Sequence, residues 1–197
     1  MNIERVVVGE LSENCYIVSQ PGRRDALVID PGAQAEKIRA ALGGRSVAAV
    51  LLTHGHFDHT GALPAFADAP IYMHPADEIM LTDAEWSVGA RFGDTAARPA
   101  ATHFVQEGDV IARAGMEIRV WHLPGHTPGG VGYRIGDALF AGDTLFRHGY
   151  GRCDQPGGNF HALMQSLRRL LKYDENLTVY PGHGERTTLF AERGREA

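Results

Sequence analysis

Thr53-His54-Gly55-His56-Phe57-Asp58-His59 follows the apolar run 47–52, and this stretch decides how the rest of the chain is read. The run is apolar and β-branched, as a buried strand requires. A donor-rich turn directly after a strand lies at its carboxyl end, where α/β sheets place their sites. Three imidazoles and one carboxylate within six residues make a dense set of nitrogen and oxygen donors, which suits a metal. Gly55 is expected to let the backbone turn tightly between two donors. The side chains leave the backbone in different directions. His54 and His56 can therefore serve one ion while Asp58 and His59 serve a neighbour. Thr60 is expected to cap a helix beginning near Gly61.

Each ion then needs donors from elsewhere, and the chain offers three. His126 lies in Pro124-Gly125-His126-Thr127-Pro128-Gly129, Asp143 in Phe140-Ala141-Gly142-Asp143-Thr144, and His183 in Tyr180-Pro181-Gly182-His183-Gly184. Glycine or proline flanks each donor near a strand end, which suits a loop lining a pocket floor. The chain has ten histidines. His74, His103, His122, His148 and His161 lack a motif and read as ordinary surface or core residues, with His148 nearest to a pocket loop.

Outward from these motifs, apolar runs bounded by turn residues predict strands at 6–8, 15–18, 26–29, 47–52, 71–73, 118–121, 131–135, 138–140 and 177–180. Helical spacing appears at 35–42, stopped by Gly43-Gly44, and at 160–171, with Asn159 as its N-cap. Residues 82–102 lack periodicity and read as a long loop or irregular helix, a kind of segment that is often functional. Early hairpin-like strands followed by strands alternating with helices indicate a layered α/β fold. One domain, 1–197, is expected.

Bulk properties exclude some functions. With 19 basic and 24 acidic residues, the formal net charge is −5 and no basic cluster stands out, so nucleic acid is not expected as a partner. No signal peptide and no membrane-spanning run is apparent, so a cytoplasmic protein without a membrane partner is expected. Two cysteines, Cys15 and Cys153, are too few for a disulfide framework and read as reduced thiols, one buried and one in a loop.

In this order, HGHFDH, PGHTPGG, AGDTLF and PGHG resemble the metallo-β-lactamase fold superfamily, and the resemblance covers nearly the whole chain. It implies an αββα four-layer sandwich. It further implies one metal on His54, His56 and His126, a second on Asp58, His59 and His183, and Asp143 bridging them. Asp30, in Val28-Ile29-Asp30-Pro31-Gly32, matches an early aspartate that supports the HxHxDH loop by hydrogen bonding. Two divalent ions are implied, with zinc the first expectation and iron or manganese also suited to these donors. Ions about 3.5–4 Å apart can share a water and make it hydroxide near neutral pH. Asp58 is expected to orient this nucleophile as well as bind metal, and both Asp58 and Asp143 are catalytic candidates. The cage stays net positive, so a small anionic substrate with an anionic leaving group suits it, and a thiolate needs no proton to leave.

Gly142-Asp143-Thr144-Leu145-Phe146, with Gly149-Tyr150-Gly151-Arg152 after it, resembles the glyoxalase II group, which hydrolyses acyl-glutathione thioesters such as S-D-lactoylglutathione. Arg152 matches a basic position that contacts glutathione there. Cys153 and the residues after it replace the aromatic expected next, and the chain stops soon after His183, as in the short bacterial glyoxalase II-like hydrolases. Two alternatives stand beside this one. A related branch, the persulfide dioxygenases, holds a single iron on the positions of His54, His126 and Asp143. Lactonases or other ester hydrolases share the fold.

Overall fold

The computed structural model describes residues 1–194. The chain opens with three antiparallel strands, β1 (Asn2–Val8), β2 (Glu13–Ser19) and β3 (Asp25–Ile29). Helix α1 (Ala35–Leu42) crosses over to β4 (Ser46–Leu51), which pairs parallel with β3. Gly43 ends α1 in the left-handed region and donates to Ala40 O, as the Gly-Gly stop predicted. A one-turn helix, α2 (Phe57–Thr60), follows β4. The parallel strands β5 (Ile71–Met73) and β6 (His103–Phe104) complete a six-stranded sheet in simple order.

The second sheet begins with β7 (Val110–Arg113), β8 (Met116–His122), β9 (Val131–Ile135) and β10 (Ala138–Gly142), an antiparallel meander. A small hairpin of β11 (Leu145–Phe146) and β12 (Gly149–Tyr150) comes next. Helix α3 (Phe160–Leu171) crosses over to β13 (Thr178–Pro181), parallel to β10. The edge strand β14 (Thr187–Thr188) and the short helix α4 (Leu189–Glu192) follow. The strand order is β14-β13-β10-β9-β8-β7.

Side-chain alternation explains why the two sheets stack and why each carries helices outside. In β2, Tyr16 and Val18 face the space between the sheets, whereas Cys15 and Ile17 face α1. In β10, Ala138 and Phe140 face the same inner space, whereas Leu139 and Ala141 face α3. Central strands covered on both sides must be apolar throughout, which is why they read as continuous runs. Ile38 and Leu42 of α1 pack on the outer face of the first sheet. Leu163, Leu167, Leu170 and Leu171 of α3 pack on the outer face of the second. Each leucine so buried contributes about 1.5–3 kcal/mol relative to exposure. The Asn159 side chain accepts from Ala162 N at 3.0 Å and caps α3 as expected. The result is the mixed α/β sandwich with helices on both outer faces that the resemblance implied.

One local expectation fails. Thr60 does not cap a helix; it is the last residue of α2, and its hydroxyl donates to His56 O at 3.1 Å. Helix formation starts four residues earlier because the chain turns directly after His56, whose backbone is still extended. Asp58 and His59 therefore sit on a helical turn rather than in the preceding loop.

Candidate metal centre

The predicted donors arrive from both sheets at one end of the sandwich. Asp30 follows β3, and His54 and His56 follow β4. His126 lies between β8 and β9, Asp143 follows β10, and His183 follows β13. His54, His56, His59, His126 and Asp30 are buried, whereas Asp58, Asp143 and His183 keep part of their surface in the pocket. Two three-residue groups assemble with donor atoms within 4.8 Å of one another: His54, His56 and His126, and Asp58, His59 and His183. Asp143 lies between them. Its Oδ1 is 3.5 Å from His59 Nε2, and its Oδ2 is 3.6 Å from both His126 Nε2 and His183 Nε2.

In four of the five histidines, His54, His59, His126 and His183, the outward-facing ring nitrogen is occupied, which fixes what the inward one can do. His126 Nδ1 donates to Arg152 O at 2.6 Å, and His183 Nδ1 donates to Leu11 O at 3.1 Å. His59 Nδ1 donates to Asp30 Oδ2 at 3.0 Å. The Thr53 hydroxyl spends its hydrogen on Asp30 Oδ2 at 2.6 Å, so at 3.1 Å it accepts from His54 Nδ1. A histidine that donates through one nitrogen presents a bare lone pair or a charge at the other. His54 Nε2, His56 Nε2, His59 Nε2 and Asp143 Oδ1 are buried without a hydrogen-bond partner. His56 Nδ1 and His126 Nε2 approach to 2.9 Å. Buried polar atoms rarely stay orphaned, and convergent imidazole and carboxylate donors fit a divalent cation.

A third group of close donors, Asp30, His54 and His59, has a different character. Asp30 accepts from Thr53 N at 2.7 Å, from the Thr53 hydroxyl and from His59. Its oxygens are filled by donors, so it orients the loop, as its sequence position suggested.

The electrostatics divide the two groups. Burial and the neighbouring imidazoles push His54 and His56 well below the usual histidine range, which keeps them neutral as metal ligands must be. Burial acts the same way on His59, but Asp58, Asp143 and Asp30 outweigh it and raise the ring well above that range. His183 is raised against its burial by Asp58 and Asp143. Asp58 is held below the ordinary carboxylate range by His59 and His183, again against its burial. The Asp58 side of the site thus favours positive charge, and His54 and His56 favour bare nitrogen donors.

His56, Asp58, His126, Asp143 and His183 floor a cavity of about 280 Å³. Leu11, Phe57, Val88, Phe92 and Phe146 give it apolar walls, and Arg152 and Gln155 stand at its rim. Val88 and Phe92 come from the irregular segment 82–102, which folds into turns and a short 3-10 stretch, Gly89–Phe92. Arg152 lines the cavity, but its guanidinium pairs with Asp154 through bonds of 2.7 and 2.8 Å. The five histidines without motifs stay outside the donor groups among the described residues. His148 meets Glu192 instead.

Two acidic residues near the site escaped the sequence reading. Glu13 is buried beside His59 at 3.8 Å with both oxygens unpartnered. Asp77 is fully buried and accepts from Gly55 N, Thr127 Oγ1 and Gly129 N. Neither lies in a donor-rich motif, and the only signal for Asp77 is its place just after the β5 strand and Pro75. The expected role of Gly55 also changes. A Cβ there would come within 2.7 Å of Met80 Cβ and 2.9 Å of Asp77 O, so space, not a special backbone angle, is what excludes a side chain.

Known proteins show the family to which such a chain belongs. The metallo-beta-lactamase superfamily model matches residues 8–183. Hydroxyacylglutathione hydrolase GloC of Haemophilus influenzae is 34% identical, over 98% of this chain and 95% of its own length. The crystal structure of the BLEG-1 B3 metallo-beta-lactamase superposes with a TM-score of 0.91 at 31% identity, covering 97% of this chain and 96% of that one. The crystal structure of TTHA1623 in a di-iron-bound form superposes with a TM-score of 0.85 at 38% identity, covering 98% of both chains. Two stacked sheets that deliver histidine and aspartate donors to one end, matched over nearly the full length, place this chain in the metallo-beta-lactamase superfamily.

Proposed function

We propose that this protein is a metal-dependent hydrolase that cleaves thioesters of the acyl-glutathione type, S-D-lactoylglutathione among them. The observation that carries this reading is the pair of three-residue donor groups with Asp143 between them at the floor of one cavity. His54, His56 and His126 would hold one cation, Asp58, His59 and His183 a second, and Asp143 would touch both. We take the cations to be zinc, with iron as the competitor that the di-iron form of TTHA1623 brings forward. Bound there, a divalent pair supplies Lewis acidity and brings water toward ionisation near neutral pH.

The chain's own residues do the rest. Asp58 lines the cavity as an ionised carboxylate and can accept a hydrogen bond from the attacking water, aiming its lone pair at the acyl carbon. The apolar walls exclude bulk water from the reacting bond. Hydrolysis bonds the water oxygen to the acyl carbon, breaks the carbon–sulfur bond and releases sulfur as thiolate, which draws no proton from the protein, so both protons of the water pass to solvent. Arg152 at the rim supplies a cation for a carboxylate on the carrier thiol. The name of the Haemophilus influenzae relative supports the substrate class. Cys15 and Cys153 are unpaired thiols, which fits a reducing compartment, and we place the protein in the cytoplasm. Among the described residues no helix is long and apolar enough to cross a membrane.

The test is turnover of S-D-lactoylglutathione and a panel of other thioesters by protein of measured metal content. Thioester hydrolysis with two metals per chain, lost on chelation and in His56→Ala, is expected. Turnover that survives complete metal removal refutes the mechanism. One iron per chain with oxygen uptake on glutathione persulfide refutes the hydrolase reading.

A further inference from the structure

The three-histidine group is assembled from two sheets. His54 and His56 stand on the turn after β4 in the first sheet, and His126 stands on the loop between β8 and β9 in the second. Behind the three-histidine group, Val131 N donates to Thr53 O at 2.8 Å and the Tyr133 hydroxyl to Leu52 O at 2.9 Å, both across the sheets. Neither reaches the backbone between His54 and His56 or the residues directly after His126. Asp77 does. It lies in the 3-10 segment Pro75–Leu81 after β5 and has no exposed surface. Its Oδ2 accepts from Gly55 N at 3.3 Å, between the two histidines, and from the Thr127 hydroxyl at 2.7 Å, next to His126. Its Oδ1 accepts from Gly129 N at 2.6 Å.

We propose that Asp77, which touches none of the metal-site side chains, is the positioning residue that sets the spacing of the three-histidine group by clamping its two loops on one buried carboxylate. Only a carboxylate suits the place. Three donors converge on it, and an amide would turn one acceptor oxygen into a donor facing either Gly129 N or both Gly55 N and Thr127. Burial lifts the carboxyl above its usual range, and the same three hydrogen bonds oppose that lift. The loops are also shaped to admit the clamp. A Cβ on Gly129 would lie 2.7 Å from Asp77 Oδ1 and 2.9 Å from Asp77 N, so any larger residue there would push the second loop away. Asp77 thus does for the three-histidine group, through two backbone amides and the Thr127 hydroxyl, what Asp30 does through the His59 ring. Residues behind metal ligands typically change metal affinity by about 10–100-fold.

The proposal rests on the metal-dependent reading, and the experiment separates the two. Metal-free wild type, Asp77→Asn, Thr127→Val and Thr127→Ser are titrated with zinc against a chromophoric chelator. His126→Ala marks which equivalent belongs to the three-histidine group. Melting of the metal-free proteins controls for the fold. Wild type is expected to take two equivalents. Asp77→Asn should lose roughly 10–100-fold in affinity at the three-histidine equivalent alone. Thr127→Val should lose less, and Thr127→Ser should recover it, since serine restores the hydroxyl. Unchanged affinity at that equivalent in folded Asp77→Asn overturns the clamp. So does an equal loss at both equivalents, which would mark a general scaffold role. Where Asp77→Asn does not fold, the Thr127→Val and Thr127→Ser pair decides by the same criteria. A wild type that binds no zinc overturns the metal reading and the clamp together, whereas two tight equivalents insensitive to Asp77 and Thr127 overturn the clamp alone.

Discussion

Asp30 Oδ2 accepts the Nδ1 hydrogen of His59 at 3.0 Å while the same carboxylate takes both hydrogens that Thr53 offers. One residue at the end of β3 therefore fixes the ring of a donor that follows β4 and, through the Thr53 hydroxyl, the tautomer of His54. Asp30 holds this position with a left-handed backbone (φ 50°), which aspartate and asparagine tolerate better than most residues. Asp30→Asn keeps that backbone but turns one acceptor into a donor aimed at Thr53 or His59. The variant should lose about 1–3 kcal/mol of stability for the mispaired buried group and roughly 10–100-fold in metal affinity. Thermal melting and metal content after dialysis check it. Wild-type values for both would show that Asp30 does not orient these rings.

Gly125 is a backbone requirement of the site. Its φ of 137° lies outside what side-chain-bearing residues adopt, and a Cβ there would come within 2.2 Å of Leu163 N and 2.3 Å of Leu163 Cα. The first turn of α3 is thus packed directly against the residue before His126. Gly125→Ala must move either the helix or the His126 loop. A loss of several kcal/mol in stability, or a folded protein lacking one metal equivalent, is expected. A variant with wild-type melting and two metals would sink this account.

Tyr133 tests the seam between the sheets. It is fully buried, and its hydroxyl donates to Leu52 O just ahead of the donor-rich turn. Tyr133→Phe keeps the ring and removes the hydroxyl. It should cost about 1–2 kcal/mol, which for a chain of this size lowers the melting temperature by roughly 2–8 °C. Metal stoichiometry should stay at two, because Val131 N still bridges to Thr53 O. An unchanged melting temperature would show that the hydroxyl contributes nothing.

The central strands were legible in the sequence because both faces are apolar, and α3 was legible because its leucines repeat at helical spacing below a capping asparagine. The seven candidate donors were legible because they sit in glycine- and proline-flanked motifs at strand ends. Edge strand β7 was not, since Val110 is exposed and only Ile111 faces the core. Two-residue strands such as β6 and β14 carry no period at all. Asp77 was not legible because its meaning depends on three donors from two distant loops, contacts that no local pattern encodes. The apolar rim was hidden for the same reason. Phe92 stacks on Phe57 at 4.7 Å, and only the folded chain brings 82–102 against the donor turn.

Arg152 and Asp154 make the substrate reading testable at the rim. The pair is bidentate but exposed on both sides, so water screens it and it can open to a ligand. Asp154 is held down to about 2 by the Arg152 hydrogen bonds and its own backbone amide, so it is ionised at any working pH and always competes for the guanidinium. A carrier thiol bearing a carboxylate must displace Asp154 to reach Arg152. Arg152→Ala should therefore raise KM for S-D-lactoylglutathione by about two- to fivefold with kcat unchanged, since the contact lies away from the reacting bond. Asp154→Ala should act in the opposite direction, lowering KM by a similar factor because the guanidinium is then free. A thioester of an uncharged thiol should respond to neither change. Steady-state kinetics on the two substrates decide it. Equal KM shifts for the charged and uncharged carriers would mean that Arg152 shapes the loop rather than reading the carrier's carboxylate.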